Sequence, residues 1–241
     1  MDKLIFTAVS GAERLMRAQQ VHANNLANLD TAGFRASMEV ATNQQLGGFG
    51  YDDRHMSSMQ ADMVSTRAGT VRETGRPLDV AIGGQGYLAV QYGDNEAYTR
   101  SGEIDIGPDG ALSVHGHALM GEGGPIVLPP HTAVEIGKDG TISVLTEGAT
   151  QMQVVDKLRL VNATGAELTK NEAGLIVTRD GAQLPADPDV KVRPGALEGS
   201  NVSAVEEMVA TMSLNRSFEV QMRLFKAGDS MNEVGNKLIA G

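Results

Sequence analysis

The side chains best suited to chemistry are few. His115 and His117 are two residues apart, so on a strand both imidazoles would project from one face. With His131 nearby in sequence they could begin a metal site, but no carboxylate at ligand spacing completes a set. Ordinary surface histidines of a hairpin are the better account of the pair, and no metal ligand is assigned. Gly121-Glu122-Gly123-Gly124-Pro125 is glycine-rich, yet no Gly-Lys-Ser/Thr follows, so it reads as a turn and not a phosphate-binding loop. Asp105 and Asp109 lack the remaining ligands of a calcium loop and its terminal Glu. Neither a Gly-x-Ser-x-Gly elbow nor a His-Glu-x-x-His helix occurs. With 30 acidic residues, carboxylate spacing alone singles out no acid–base pair. The chain has no cysteine, which removes thiol nucleophiles, thiolate metal ligands and disulfides. The expectation is a protein that is not an enzyme, with no cofactor and no small-molecule substrate.

Composition bounds the partners. A formal net charge of -10 argues against nucleic acid, because phosphate binding needs a basic footprint. No run approaches the roughly 18 apolar residues of a membrane span. Leu4 to Val9 is too short for a secretory leader and is soon interrupted by Glu13 and Arg14. Taken alone, that predicts a cytoplasmic protein. With no Trp, four Tyr and five Phe, a core must rely on aliphatic side chains and Met.

The elements follow from proline. All eight prolines lie between Pro77 and Pro194, and a proline inside a helix costs about 3 kcal/mol. Both ends are therefore free to be long helices, and the middle is not. Over residues 2 to 28, Ile5, Ala8, Ala12, Leu15, Gln19, His22 and Leu26 recur at spacings of three and four, a weak heptad-like seam. Gly11 inside this helix is tolerable if another backbone packs closely there. At the other end, Ser203 and Glu206 form a capping box. Val205, Met208 and Met212 make one apolar stripe; Phe218, Met222 and Phe225 make a second, displaced around the helix. At 1.5 Å per residue this helix reaches roughly 50 Å, too long to bury both stripes against one shorter partner. Packing between molecules is the expectation.

Residues 36 to 75 are polar, with Met56, Met59 and Met63 and little period, and read as an extended bridge. Tyr87 to Tyr92 alternates like a half-buried strand. Ile104 to Val114 then echoes Val134 to Val144, each with Asp-Gly at its centre, a strong hairpin signal. The fold class expected is α+β: terminal helices (1–35 with 198–241) pairing as a coiled coil, and a central, mainly antiparallel β domain (76–190). The bridge (36–75) and a return linker (191–197) join them.

Asn24-Asn25-Leu26-Ala27-Asn28-Leu29-Asp30-Thr31-Ala32-Gly33-Phe34-Arg35 ends the first helix, and Gly33 can take a positive φ without steric cost. This wording resembles the N-terminal signature of the bacterial flagellar axial proteins, the rod, hook and hook-junction family. Two more blocks are similar to that family. One is Thr74 to Ile82 with Gly86 to Val90 and Tyr98-Thr99-Arg100-Ser101-Gly102. The other is Leu197-Glu198-Gly199-Ser200-Asn201-Val202, with Glu206-Glu207-Met208 and Arg216 to Met222. The Met-Asp start and compact β domain resemble proximal-rod members more than the longer distal-rod ones.

The resemblance implies a structural subunit of the proximal rod, a drive shaft crossing the periplasm, whose terminal helices line a helical tube with the β domain outside. It implies other rod subunits and the type III export apparatus as partners, and export without a cleaved signal peptide. The termini of the free subunit would order on assembly. The residues expected to carry assembly are Ile5, Leu15, Leu26, Asn25, Asn28, Gly33, Phe34, Met208, Met212, Phe218, Met222 and Phe225. Alternatives are a distal-rod subunit, or a periplasmic β-domain protein binding or cutting the cell wall. A wall-cutting enzyme would need a raised-pKa acid with a partner in a groove, and no residue marks one.

Overall fold

The computed structural model describes residues 2–45, 55–164 and 167–240, with side chains for 9–38, 63–164, 167–235 and 237–238. Two long helices, first and last in chain order, and a mainly antiparallel β region between them in sequence give an α+β architecture. In chain order the elements begin with α1 (Asp2–Ala27), β1 (Ser37–Gln45), β2 (His55–Val64), β3 (Val71–Glu73), β4 (Val80–Ile82), β5 (Gly86–Tyr92) and β6 (Asn95–Thr99). There follow β7 (Asp105–Ile106), β8 (Leu112–Val114), β9 (His117–Ala118), β10 (Ala133–Ile136), β11 (Thr141–Leu145) and β12 (Gln153–Lys157). The last are β13 (Leu160–Asn162), β14 (Leu168–Lys170), β15 (Ile176–Thr178), β16 (Val192–Pro194), β17 (Ala196–Glu198) and α2 (Ala204–Ala240). The chain divides into two compact units, one of residues 1–27, 37–62 and 203–241, the other of 28–36 and 63–202.

The first unit is built on α1 and α2. Ser203 caps α2 by accepting the Glu206 N–H on Oγ at 3.4 Å, which satisfies one of the donors a helix start leaves open. The two helices run antiparallel. Gln19 donates to Asn215 at 3.2 Å, His22 meets Glu207, and a Cβ at Gly11 would approach Gln221 Nε2 at 3.0 Å. The neighbour at Gly11 is thus the tip of a flexible side chain, not the backbone expected from sequence. The stretch expected as an extended bridge carries β1, β2 and β3 in its described part, and β1 pairs with β2. Strand formation there follows context more than propensity, which is why the polar, Met-rich sequence shows no strand period.

The second unit centres on a five-stranded sheet in the order β13-β5-β6-β15-β14. Leu88 and Val90 of β5 enter a large aliphatic cluster with Ile104, Leu112, Ile142 and Leu158. Tyr87 and Ala89, on the opposite face of the same strand, join Val64, Tyr98, Val161 and Leu168. Both faces are covered, so Gly86 to Val90 are all buried and only Gln91 and Tyr92 are exposed. This corrects the half-buried strand expected from the alternation: the small Ala89 and the aromatic Tyr87 fill a second, thinner layer that the pattern hid.

The internal echo is structural. In both copies the first Gly N–H bonds the carbonyl four residues on (Gly107 to Ala111, Gly137 to Thr141, both 2.8 Å), and the second Gly closes the turn at 3.0 Å. Gly110 and Gly140 hold φ of 81° and 86°, which a side chain would strain. Asn171 to Leu175 repeats the same two bonds at 2.9 and 3.0 Å with Gly174 at φ 77°.

Candidate functional site

Three charged residues, one from each sequence block, meet inside the β unit. Arg35, Arg100 and Glu198 are 3%, 1% and 2% exposed. Arg100 donates from Nε (2.9 Å) and Nη2 to one Glu198 oxygen; Arg35 Nη2 reaches the other at 2.9 Å, and the Gly69 N–H joins it at 2.8 Å. Arg100 also caps the carbonyls of Ile82 and Gly84 at 2.9 and 3.0 Å and that of Gly86, tying the β4–β5 turn to the same point. Its guanidinium lies 5.8 Å from the Tyr87 ring centroid. Arg35 adds a bond to the Arg67 carbonyl. Burial, then the neighbouring Arg100, pushes the Arg35 pKa below the usual arginine range, while Glu198 pulls the other way. Burial likewise raises Tyr87. Two guanidiniums share one carboxylate, so the cluster keeps one net buried positive charge.

The backbone of the N-terminal signature is seated on this cluster. Gly33 has φ 67°, its N–H donates to the Glu198 carbonyl at 2.7 Å, and a Cβ there would lie 2.1 Å from Ser101 N. Only glycine meets both demands. Asn201 completes the seat: its N–H donates to the Phe34 carbonyl at 3.2 Å, its Oδ1 accepts the Ala36 N–H at 2.7 Å, and its Nδ2 donates to the Arg67 carbonyl at 2.8 Å. Beside it, Lys170 Nζ sits 3.7 Å from the Phe34 ring centroid, without a hydrogen-bond partner. Burial pushes that amine down to about 8.

The remaining candidates fall as follows. Asn28 is half-buried and accepts the Thr31 hydroxyl at 3.1 Å. Asn25, 2% exposed, belongs to the helical unit, where its Nδ2 donates to Glu207 and to the Ser37 carbonyl, both at 3.1 Å. Leu15 and Leu26 are half-buried on α1; Ile5 lies in α1 with its side chain outside the described residues. On α2, Phe218 and Phe225 are half-buried, eleven and eighteen residues beyond Glu207 and hence on its side of the helix at about 3.6 residues per turn. Met208, Met212 and Met222 are exposed. The apolar stripe left open differs from the two expected: Val205, Val209, Met212, Val220, Leu224, Met231, Val234 and Leu238, each 56–80% exposed. Of the histidines, His115 has φ 50° and holds Nε2 2.9 Å from Ser101 Oγ; His117 packs a tilted ring on Tyr92; His131 donates to the Pro129 carbonyl.

Comparison with known proteins matches three family descriptions in chain order. Residues 5–35 match "Flagella basal body rod protein", 81–144 "Flagellar hook protein FlgE/F/G D1 domain", and 193–238 "Flagellar basal body rod FlgEFG protein C-terminal". The flagellar basal-body rod protein FlgF of Salmonella typhimurium strain LT2 is 38% identical over 249 residues, covering 100% of this chain and 99% of the relative. The chain belongs to the FlgF family of flagellar basal-body rod proteins. FlgF of Escherichia coli strain K12 is 38% identical over 250 residues with the same coverage. The rod protein FlgG of Buchnera aphidicola subsp. Schizaphis graminum is 31% identical over 89% of this chain and 92% of its own length.

Membership of the FlgF family makes the chain a structural subunit of the proximal rod, with the basal-body rod as its place, and not an enzyme. Each of the three matched segments carries one member of the charged cluster: Arg35 in the first, Arg100 in the second and Glu198 in the third. These residues stand in the sequence within the family wording, with nothing local that marks them as a site. The available signal was that each of the three charges stands within two residues of a glycine, Gly33, Gly102 and Gly199. Among the described residues no helix is long and apolar enough to cross a membrane.

Proposed function

We propose that this FlgF-family chain polymerises with other rod subunits into a helical tube, its two terminal helices pairing as a coiled coil in the tube's wall. One observation carries this reading: the stripe from Val205 to Leu238 that α2 leaves open on the side away from α1. A helix of 37 residues spans about 55 Å and one of 26 about 39 Å, so α1 cannot cover α2 even along one face. An apolar face of that length in water needs a partner. Head-to-tail contacts that do not close give a filament, which is the form a torque-bearing shaft requires.

In this reading residues 1–35 with 198–241 make the polymerising layer, and 76–190 make the body that it carries. Inside the β unit the Arg35–Glu198–Arg100 cluster ties the segment that follows α1 in the chain to the segment that precedes α2. The subunit reaches the rod through the flagellar type III export apparatus. Replacing Val209 and Leu224 together by Ser tests the stripe. Swimming should be lost and the chain should vanish from purified hook–basal bodies, while the thermal melt of the purified chain stays unchanged. Normal swimming by the double variant would refute the role of this face.

A further inference from the structure

The outward faces of the two helices carry opposite charges at matching places. On α1 the exposed side holds Val9, Glu13, Met16, Gln20 and Ala23 at spacings of 4, 3, 4 and 3 residues. Glu13 is two residues, about 200° around, from Gly11, whose open side faces Gln221 of α2. It therefore points away from the intramolecular partner. On α2, Arg216 interrupts the open stripe between Met212 and Val220. It lies nine residues, about two and a half turns, from both Glu207 and Phe225, which puts it on the far side as well. Among the described residues neither Glu13 nor Arg216 makes an ion pair.

We propose that Glu13 of one copy pairs with Arg216 of a second copy, setting the register in which the two outward stripes pack. The inference rests on the polymerising role given above and adds its partner and register. Copies related by rotation about an axis and translation along it keep the direction of helices that run along that axis. Since α1 and α2 are antiparallel within a chain, they stay antiparallel between chains. With Glu13 set opposite Arg216, Val9 falls opposite Val220 and Gln20 opposite Val209, while Met16 and Ala23 fall within one residue of Met212 and Val205. The charged pair then sits between apolar rungs, and a single polar position in such a seam specifies register because any slip buries it unpaired. Arg223, one heptad further on, is the competing donor to Glu13, so the register is a definite choice.

The chain has no native cysteine, which makes the test direct. Two differently tagged copies, one Glu13→Cys and one Arg216→Cys, are expressed together and oxidised in purified hook–basal bodies. The expected result is a disulfide-linked pair carrying both tags. Both chains present in the basal bodies without such a product would overturn the pairing and leave the rod role standing. A product with Arg223→Cys in place of Arg216→Cys would overturn the register. A chain never found in basal bodies, even unsubstituted, would overturn the polymerising role itself. Charge reversal decides the matter independently of cysteine chemistry. Glu13→Arg and Arg216→Glu should each reduce swimming rings to background, and the two together should restore them. Single reversals that swim normally, or a double no better than the singles, would overturn the proposal.

Discussion

Removing the carboxylate of Glu198 should be the most damaging single change in the β unit. Glu198→Ala deletes the only acceptor shared by Arg35 Nη2, Arg100 Nε and Nη2, and the Gly69 N–H. Both guanidiniums are at least 97% buried and would face each other uncompensated. Breaking a buried pair this way costs about 3–5 kcal/mol. Against a typical total stability of about 5–15 kcal/mol, that is about a fifth or more. At roughly 2–4 °C per kcal/mol for a chain of this size, the melt should fall by about 6–20 °C. Urea and thermal unfolding of the purified full chain measure it, with Glu73→Ala as control, since Glu73 pairs with Arg193 in the open and should cost under about 1 kcal/mol. The cycle Arg35→Met, Glu198→Leu and the double should show strong coupling, because Arg35 Nη2 bonds a Glu198 carboxylate oxygen directly at 2.9 Å. A Glu198→Ala loss below about 1 kcal/mol, or additive singles, would refute the argument that this cluster holds the unit together.

Three further outcomes follow from the same geometry. Gly33→Ala adds a strained φ and a backbone clash with Ser101, and should cost about 2–5 kcal/mol in urea unfolding. Gly75→Ala, at φ 73° with open space around it, should cost only the strain, about 1–2 kcal/mol, and equal losses would remove the steric part of the claim. Lys170 has a folded pKa of about 8 against 10.5, so the unfolded chain binds more protons and burial of the charge is penalised in full below about pH 8. Stability should rise from pH 8 to 10.5 by up to about 3 kcal/mol, less whatever the Phe34 ring returns as a cation–π contact. Lys170→Met should be more stable at pH 7 and lack this slope; a slope unchanged by the substitution would sink the assignment. Phe225→Ala, half-buried, should cost well under the roughly 3–5 kcal/mol of a fully packed Phe and should lower helix content without moving the near-ultraviolet signal of Tyr87 and Tyr98.

The sequence disclosed the parts of this fold that depend on local rules. Proline placement located both helices, Ser203 marked the start of α2, and the Asp-Gly turns located the repeated hairpins. Gly33 was legible as a positive-φ glycine, though not the clash with Ser101 that also demands it. The charged cluster was hidden for a physical reason. Arg100 and Glu198 are 98 residues apart, and arginines in loops are read as solvated because they are rarely buried unless paired. Only the fold brings the pairing acid within reach. Likewise the α2 stripes were assigned by hydrophobicity alone. The helix has apolar side chains nearly all round, so which face meets α1 is decided by Glu207, Asn215 and Gln221, polar residues a hydrophobic count ignores.

The central claim, a rod subunit that acts by assembling, is tested most directly by following a tagged full-length chain in cells. Hook–basal bodies purified from a strain with the native gene deleted and the tagged copy restored should contain the chain at a fixed ratio to other rod proteins, and the strain should swim. A tagged chain that stays in the soluble fraction, in a deletion strain that swims without it, would contradict the account.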